Sequence, residues 1–229
     1  MDKSLYVREM FAAIAPRYDA TNRLLTAGVD EAWRRRAVSE LHLRPGARVL
    51  DLCCGTGDLS FHLARSGSQV VGVDFCEPML AGARARAGKD DPRRHVEFLE
   101  ADVLHLPFGD AAFDGATMGF SLRNVVDIGA TLAEAKRVLR PGARFVNLDV
   151  SRAPNPVFRK LFEAYFYRVV PFVGGRFGGS KSAYAYLPNS LTNFPDADGV
   201  ADRFRTAGFH DVSYRRFGGG AIAVHVGTA

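Results

Sequence analysis

No stretch of this 229-residue chain comes near the ~18 consecutive apolar residues that crossing a bilayer requires, and Met1-Asp2-Lys3-Ser4 leads into a mixed polar pattern without an apolar signal core. A cytoplasmic protein is the expectation. Cysteine is scarce as well. Cys53, Cys54 and Cys76, two of them adjacent, make no disulfide framework and suit small apolar filler at two strand ends. With no C-x-x-C pair and six scattered histidines, no metal is expected. Internal repeats and low-complexity tracts are missing too. The remaining composition, 47% apolar and 24% charged, suits a single globular domain over 1–229 with a sizeable core.

Also missing is the G-x-G-x-x-G fingerprint of dinucleotide-binding turns, which makes NAD-linked oxidation a poor fit. In its place stands Val49-Leu50-Asp51-Leu52-Cys53-Cys54-Gly55-Thr56-Gly57-Asp58: an apolar run, a turn of small residues, then a helical pattern. This is the form of the first β-α junction of a nucleotide-binding α/β domain. Cys53 takes the position of a first glycine, and Leu59 follows Asp58. A turn with few glycines suits an adenosyl ligand that has no pyrophosphate to cradle, commonly S-adenosylmethionine. Asp51, Gly55, Thr56 and Gly57 are its candidate contacts. An ordinary small strand-to-helix turn would have the same pattern.

Downstream, apolar runs alternate with helical patterns. Strands are predicted over 48–52, 70–74, 96–101, 113–118 and 143–150, and helices over 59–65, 78–87 and 128–139, the last ended by Arg140-Pro141-Gly142. Such alternation implies a parallel sheet covered on both faces, a Rossmann-like α/β fold. Two more strands, 211–216 and 221–226, flank Phe217-Gly218-Gly219-Gly220 and predict a terminal hairpin with one antiparallel strand. Ahead of this core, residues 1–42 carry two helices. The first, 6–15, has Val7, Phe11 and Ile14 on one side and is closed by Pro16; the second, 30–41, has Asp30 as its N-cap.

Asp74 closes the second strand, 23 residues after Asp51, where a carboxylate can accept both hydroxyls of a ribose. Phe75 and Met79 then flank an adenine, unless both are plain core. Asp102 ends the third strand and suits the adenine amino group, with the Val103 backbone at the ring edge. Phe120-Ser121-Leu122-Arg123-Asn124-Val125 falls at the carboxyl end of the fourth strand, where residues facing a second substrate are expected.

Between 152 and 199 the rhythm breaks. Phe158, Leu161, Phe162, Tyr165, Phe166, Val169 and Val170 recur at helical spacing in a broad apolar stripe, followed by a glycine-rich loop at 174–179. The segment reads as an insertion lying over the carboxyl ends of the strands. Within it, between Arg152 and Lys181, the cations Arg152, Arg159, Lys160, Arg168, Arg176 and Lys181 stand against Glu163 alone, a surplus equal to the formal charge of the whole chain, +5.

The motifs carry a family resemblance that extends over nearly the whole chain. Val7-Arg8-Glu9-Met10-Phe11 with Ile14-Ala15-Pro16-Arg17-Tyr18-Asp19, then Asn22 and Trp33-Arg34-Arg35, resembles the N-terminal signature of the ubiquinone/menaquinone biosynthesis C-methyltransferases. Leu122-Arg123-Asn124-Val125 resembles that family's second signature, and Tyr184-Ala185-Tyr186-Leu187-Pro188-Asn189-Ser190 with Phe194-Pro195 continues the match. Ser121, Ala143, Cys53 and Cys54 stand where the family often has other small residues. Gly119 stands where it often has a serine, so no cofactor contact is assigned there.

The resemblance implies a seven-stranded class I methyltransferase sheet, mostly parallel with an antiparallel terminal hairpin. It also implies methyl transfer from S-adenosylmethionine to a ring carbon of a prenylated hydroquinone. Demethylmenaquinol is the expected acceptor, and the ubiquinone-pathway benzoquinol, or both rings, is the rival. A ring carbon becomes nucleophilic when the adjacent hydroxyl ionises. On this reading Arg123 supplies the positive charge while Asn124 and Tyr18 orient the ring oxygens, Arg123 acting electrostatically because its own proton is held too tightly. His105 and Asp19 are candidate bases, and a salt bridge holding the loop is the alternative for Arg123.

A polyprenyl tail needs an apolar groove, which the 158–170 stripe could wall, and the flanking cations suit peripheral contact with an anionic membrane. Plain core and a homodimer face are the other readings of the stripe. The basic balance (pI ≈ 9.3) raises RNA methylation or RNA binding as a rival, but the aromatics share one helical face and no nucleic acid is expected. A non-enzymatic adenosyl-binding module is a further rival, against which Arg123 and Tyr18 argue.

Overall fold

The computed structural model describes residues 3–87 and 96–229, with the side chains of Lys181, Ser182, Ala185 and Pro188 left aside. The opening Met1-Asp2 and the charge of Lys181 therefore lie outside the described parts. The chain begins with α1 (Lys3–Ile14), passes through one 3₁₀ turn (Ala15–Arg17) into α2 (Tyr18–Thr26), and continues to α3 (Asp30–Glu40). Pro16 does not end the helical region as predicted. It sits at the start of the 3₁₀ turn, where a missing N–H leaves no bond unmade, and the chain runs on into α2. Val29, not Asp30, holds the N-cap position of α3. The Asp30 carboxylate instead accepts from Thr26 Oγ1 at 2.7 Å and Arg34 Nε at 3.4 Å.

The sheet follows: β1 (Arg48–Leu52), β2 (Gln69–Asp74), β3 (Val96–Glu100), β4 (Phe113–Gly119), β5 (Leu139–Val150), β6 (His210–Phe217) and β7 (Ile222–Thr228), in the order β3-β2-β1-β4-β5-β7-β6. β1 to β5 are parallel, and β7 lies antiparallel between β5 and β6. β1 is an interior strand whose apolar residues are buried on both faces. Leu50 and Leu52 join Phe113, Phe145 and Phe204 on one side, while Val49 joins Leu63, Val146 and Val224 on the other. β2 and β4 flank β1, so the winding direction reverses there and a crevice opens at the carboxyl ends of β1 and β4.

α4 (Asp58–Arg65), α5 (Glu77–Ala87) and α6 (Ile128–Val138) cover the sheet at the predicted places. In the insertion, α7 (Pro156–Ala164), a π-helical segment (Tyr165–Val169), α8 (Val170–Phe177) and α9 (Lys181–Ser190) form a helical cap. The glycine-rich stretch at 174–179 is thus mainly helix, contrary to the predicted loop. A Cβ on Gly174 would lie 2.0 Å from the Tyr184 ring, so glycine is there to let α8 and α9 close on each other. Tyr184 and Val170 pack on Met10 and Ile14, seating the cap against the N-terminal helices. α10 (Ala197–Thr206) was not predicted. Its buried Ala197, Val200, Ala201 and Phe204 and its Asp196 cap, which accepts from Gly199 N, carry the helical signal.

Candidate active site

The crevice holds a cavity of about 580 Å³, within the range of small-molecule sites. One wall is the turn after β1. Cys53 leaves the strand with φ of 50°, a left-handed conformation uncommon for a side-chain-bearing residue. The turn is tied to β2 through Asp74, whose carboxylate accepts from Gly55 N at 2.8 Å and Cys76 N at 2.9 Å. Burial pushes Asp74 up to about 6 against those backbone donors. Phe75, Met79, Asp102 and Val103 extend this wall, with Asp102 Oδ1 accepting from Leu104 N at 2.9 Å.

The opposite wall comes from α2, α3 and the segment after β4: Tyr18, Arg34, Phe120, Ser121 and Asn124. Asn124 is buried, and neither atom of its side-chain amide has a protein partner. Burial raises the Tyr18 hydroxyl, opposed by the charges of Arg34 and Arg123. A ring of charge latches the N-terminal helices to the turn. Thr56 Oγ1 donates to Asp19 at 2.5 Å, while Arg86 reaches Asp19 at 2.9 Å and Asp58 at 2.7 Å. Burial works to raise Asp58, but Arg34 and Arg86 outweigh it and hold the carboxyl below the usual range.

Comparison with known proteins decides the family. The profile of the ubiE/COQ5 methyltransferase family matches residues 1–229. The chain is 46% identical over 220 residues to the demethylmenaquinone methyltransferase of Thermus thermophilus, covering 95% of this chain and 99% of that one. It is 40% identical to the ubiquinone/menaquinone biosynthesis C-methyltransferase of a Geobacter species, covering 99% and 97%. The chain belongs to the ubiE/COQ5 methyltransferase family. In structure it resembles a SAM-dependent methyltransferase from Thermotoga maritima, with a TM-score of 0.67 at 21% identity over 97% of this chain and 99% of the other, a likeness of fold.

For this S-adenosylmethionine-dependent methyltransferase, the donor set of the first wall fits the co-substrate. Asp74 offers paired acceptors for ribose hydroxyls, Asp102 an acceptor for an amino group, and Phe75, Met79 and Val103 apolar surface for adenine. Gly55 and Thr56 line the cavity beside them. Gly57 and Asp51, the other two expected contacts, are not among the residues lining the cavity. Gly57, at φ of 84°, starts α4, and a Cβ there would lie 2.9 Å from Phe98 Cζ, so glycine is required by packing. Asp51 lies beneath the turn, 1% exposed, accepting from Ser60 Oγ at 2.5 Å and Thr117 Oγ1 at 2.8 Å.

Arg123 is set behind the second wall. Its Nη1 donates to Asp149 Oδ1 and to Phe120 O, and the pair is almost fully buried. The salt-bridge alternative for Arg123 is therefore the geometry present. His105 is exposed, close to Glu134 and not itself among the residues lining the cavity, and Asp19 is committed to Thr56 and Arg86. The 158–170 stripe does not wall this cavity. Phe162 and Phe166 line a separate groove with Tyr167 and Leu191. Burial, then the Asp74 charge, drives the Cys53 and Cys54 thiols well above their ordinary range, which makes them inert filler. Among the described residues no group of three or more His, Cys, Asp or Glu could hold a metal.

Sequence reasoning missed Arg34, Asp58 and Arg86 as site residues. Arg34 stands in the run Arg34-Arg35-Arg36, which reads as a solvated helix face, and the packing of α3 on β5, β4 and α4 is what turns it inward.

Asp51 yields a pH-dependent prediction. Burial raises its carboxyl to about 6, opposed by the bonds from Ser60 and Thr117. The folded state thus holds a proton that the unfolded chain has lost between pH ~3.8 and ~6. Stability from this group is full below that window and is lost as pH rises through it. Asp51→Asn keeps an acceptor and a donor for two hydroxyls without the charge. It should gain about 2 kcal/mol at pH 8, on the order of 5 °C in Tm, and nothing at pH 3.5. Thermal melts across that range check it; a gain independent of pH would show that the charge is not responsible.

Proposed function

We propose that this methyltransferase methylates a ring carbon of demethylmenaquinol to give menaquinol, in menaquinone biosynthesis. The observation that carries the proposal is one continuous cavity: an adenosyl-suited wall faces a second wall bearing Tyr18, Arg34, Phe120 and Asn124. The relatives' names supply the acceptor class, and the Geobacter relative keeps a ubiquinone-pathway benzoquinol, or both rings, as the second reading. When bound, S-adenosylmethionine supplies an electrophilic methyl group; overall, a ring hydrogen is replaced by methyl and one proton is released.

The chain's own residues hold and align the partners. Asp74 and Asp102 fix the nucleoside end, so alignment and exclusion of water do much of the catalytic work. The unpaired Asn124 amide and the Tyr18 hydroxyl suit the ring oxygens, and Arg123 anchors the segment that presents Asn124. Incubating the purified protein with labelled S-adenosylmethionine and reduced demethylmenaquinone, beside the demethoxy-benzoquinol, tests both ring and reaction. Label should enter the naphthoquinol at least tenfold faster; transfer to neither ring would refute the proposal.

The prenyl tail leads to the membrane. Val157, Leu161 and Phe172 of the cap are 77%, 67% and 74% exposed, beside Arg159, Lys160, Arg168 and Arg176. This apolar and basic surface supports cytoplasmic protein visiting an anionic membrane face, rather than a buried homodimer surface. No helix among the described residues is long and apolar enough to cross a membrane. Sedimentation with anionic but not neutral liposomes, weakening as salt rises, is the expected result. Equal sedimentation with both lipids would remove the charge from the account, and a concentration-dependent dimer masking the surface would favour the other reading.

A further inference from the structure

The cavity wall carries a buried cation that the nucleoside contacts assigned above leave over. Arg34 rises from α3, is 8% exposed, and lies with its guanidinium 5.2 Å over the Phe120 ring. Phe120 holds that ring in place from a backbone with φ of 58°, an uncommon conformation for a bulky residue and one that clusters at functional sites. The two carboxylates near Arg34 are each held more tightly elsewhere. Asp30 meets Arg34 at 3.4 Å but Thr26 at 2.7 Å, and Asp58 meets it at 3.5 Å but Arg86 at 2.7 Å. Arg34 is therefore a desolvated cation on the cavity wall with loosely engaged partners.

We propose that Arg34 is the catalytic cation that faces the ionising ring hydroxyl of the acceptor, the part that Arg123, committed to Asp149 behind the wall, does not play. This rests on the hydroquinone reading of the site. The O–H electron pair stays on the ring oxygen, the proton passes to bulk water, and Arg34 stabilises the oxyanion in a low-dielectric site. The groups facing Arg34 are Tyr18 and Asp19 on α2, Asp30 on its own helix, Asp51 on β1, and Asp58 and His62 on α4. Of these, Tyr18 and Asp58 share the cavity wall with it. Asp58, kept ionised by two arginines, is a weak base. The hydroxyl is thus ionised by stabilising its anion.

The test uses the full-length protein saturated with S-adenosylhomocysteine and the redox-stable probe 4-methoxy-1-naphthol, whose ionisation is followed by absorbance. Bound to the wild type, the probe should ionise at least one pH unit below its free value. Arg34→Gln should return the midpoint toward the free value and lower kcat at pH 7 about 100-fold, with activity recovering as pH rises. Arg34→Lys, which keeps the charge and guards against simple misfolding, should restore most of the midpoint shift. S-adenosylhomocysteine affinity should stay within about threefold throughout. An Arg34→Gln protein that binds S-adenosylhomocysteine normally yet keeps the wild-type midpoint and kcat would overturn the inference. Wild-type protein that fails to methylate either quinol would instead overturn the acceptor reading, which the probe titration does not measure.

Discussion

Asp74→Asn should weaken S-adenosylmethionine binding about 100-fold at pH 7.5 while leaving the fold within a few degrees of wild type. Two bonds from ribose hydroxyls to a carboxylate, at ~1.5–3 kcal/mol each, set the scale, and each 1.4 kcal/mol is tenfold in affinity. The amide keeps one acceptor and turns a donor toward a site that already contains donors. Gly55 N and Cys76 N both point at this carboxylate, so the substituted group meets either an N–H or a hydroxyl in the wrong sense. Stability changes little because the lost backbone bond is offset by removing a buried charge.

The same residue predicts a pH effect. The free protein's Asp74 carboxyl stands at about 6. Hydroxyl donors favour its ionised form, so binding at pH 6 should release about half a proton and affinity should fall as pH drops below that point. Calorimetry with S-adenosylhomocysteine in buffers of different ionisation enthalpy reads both effects. Unaltered affinity in Asp74→Asn would remove the ribose contact from the reading of the site.

The parallel sheet was legible because its strands are short apolar runs buried on both faces, and because helix-period segments separate them. β1 was located to the residue, and the other strands to within a few positions. At β5 the larger difference has a cause: Leu139 already pairs with Phe113 before the bulge around Pro141 and Gly142, so strand pairing starts inside what reads as a helix terminus. The elements that escaped depend on contacts distant in sequence. The helical course of 174–177 depends on Tyr184 filling the space that side chains at Gly174 and Gly178 would take. The site divides along the same line. The places of Asp74, Asp102 and Val103 on the cavity wall were legible because strand ends set them. Which of two arginines faces the cavity was not, because a guanidinium's direction is decided by its surroundings: Asp149 draws Arg123 inward, while Arg34 lies over the Phe120 ring at the wall.

Arg123→Ala should be among the most damaging single changes to stability, because it strands a carboxylate. Asp149 is 1% exposed and takes one charge-assisted bond from the Arg123 guanidinium, besides backbone bonds from Arg123 N at 3.3 Å and Val150 N at 2.8 Å that cannot by themselves neutralise its charge. Removing one member of a buried ion pair costs ~3–5 kcal/mol, which for a chain of this size lowers Tm by roughly 10 °C. Phe120 O loses its donor in the same step, so the segment presenting Asn124 to the cavity loosens and turnover falls with stability. The double variant Arg123→Met with Asp149→Leu removes both desolvation penalties and should return to within about 2 kcal/mol of wild type. If Arg123 acts by holding this segment, turnover should recover in part alongside Tm, short of wild type because Phe120 O still lacks its donor, with S-adenosylhomocysteine affinity steady in both proteins. A stable double variant without turnover would give the Arg123 charge a direct part in the chemistry. An Arg123→Ala protein as stable as wild type would mean the Asp149 pair contributes nothing to the fold.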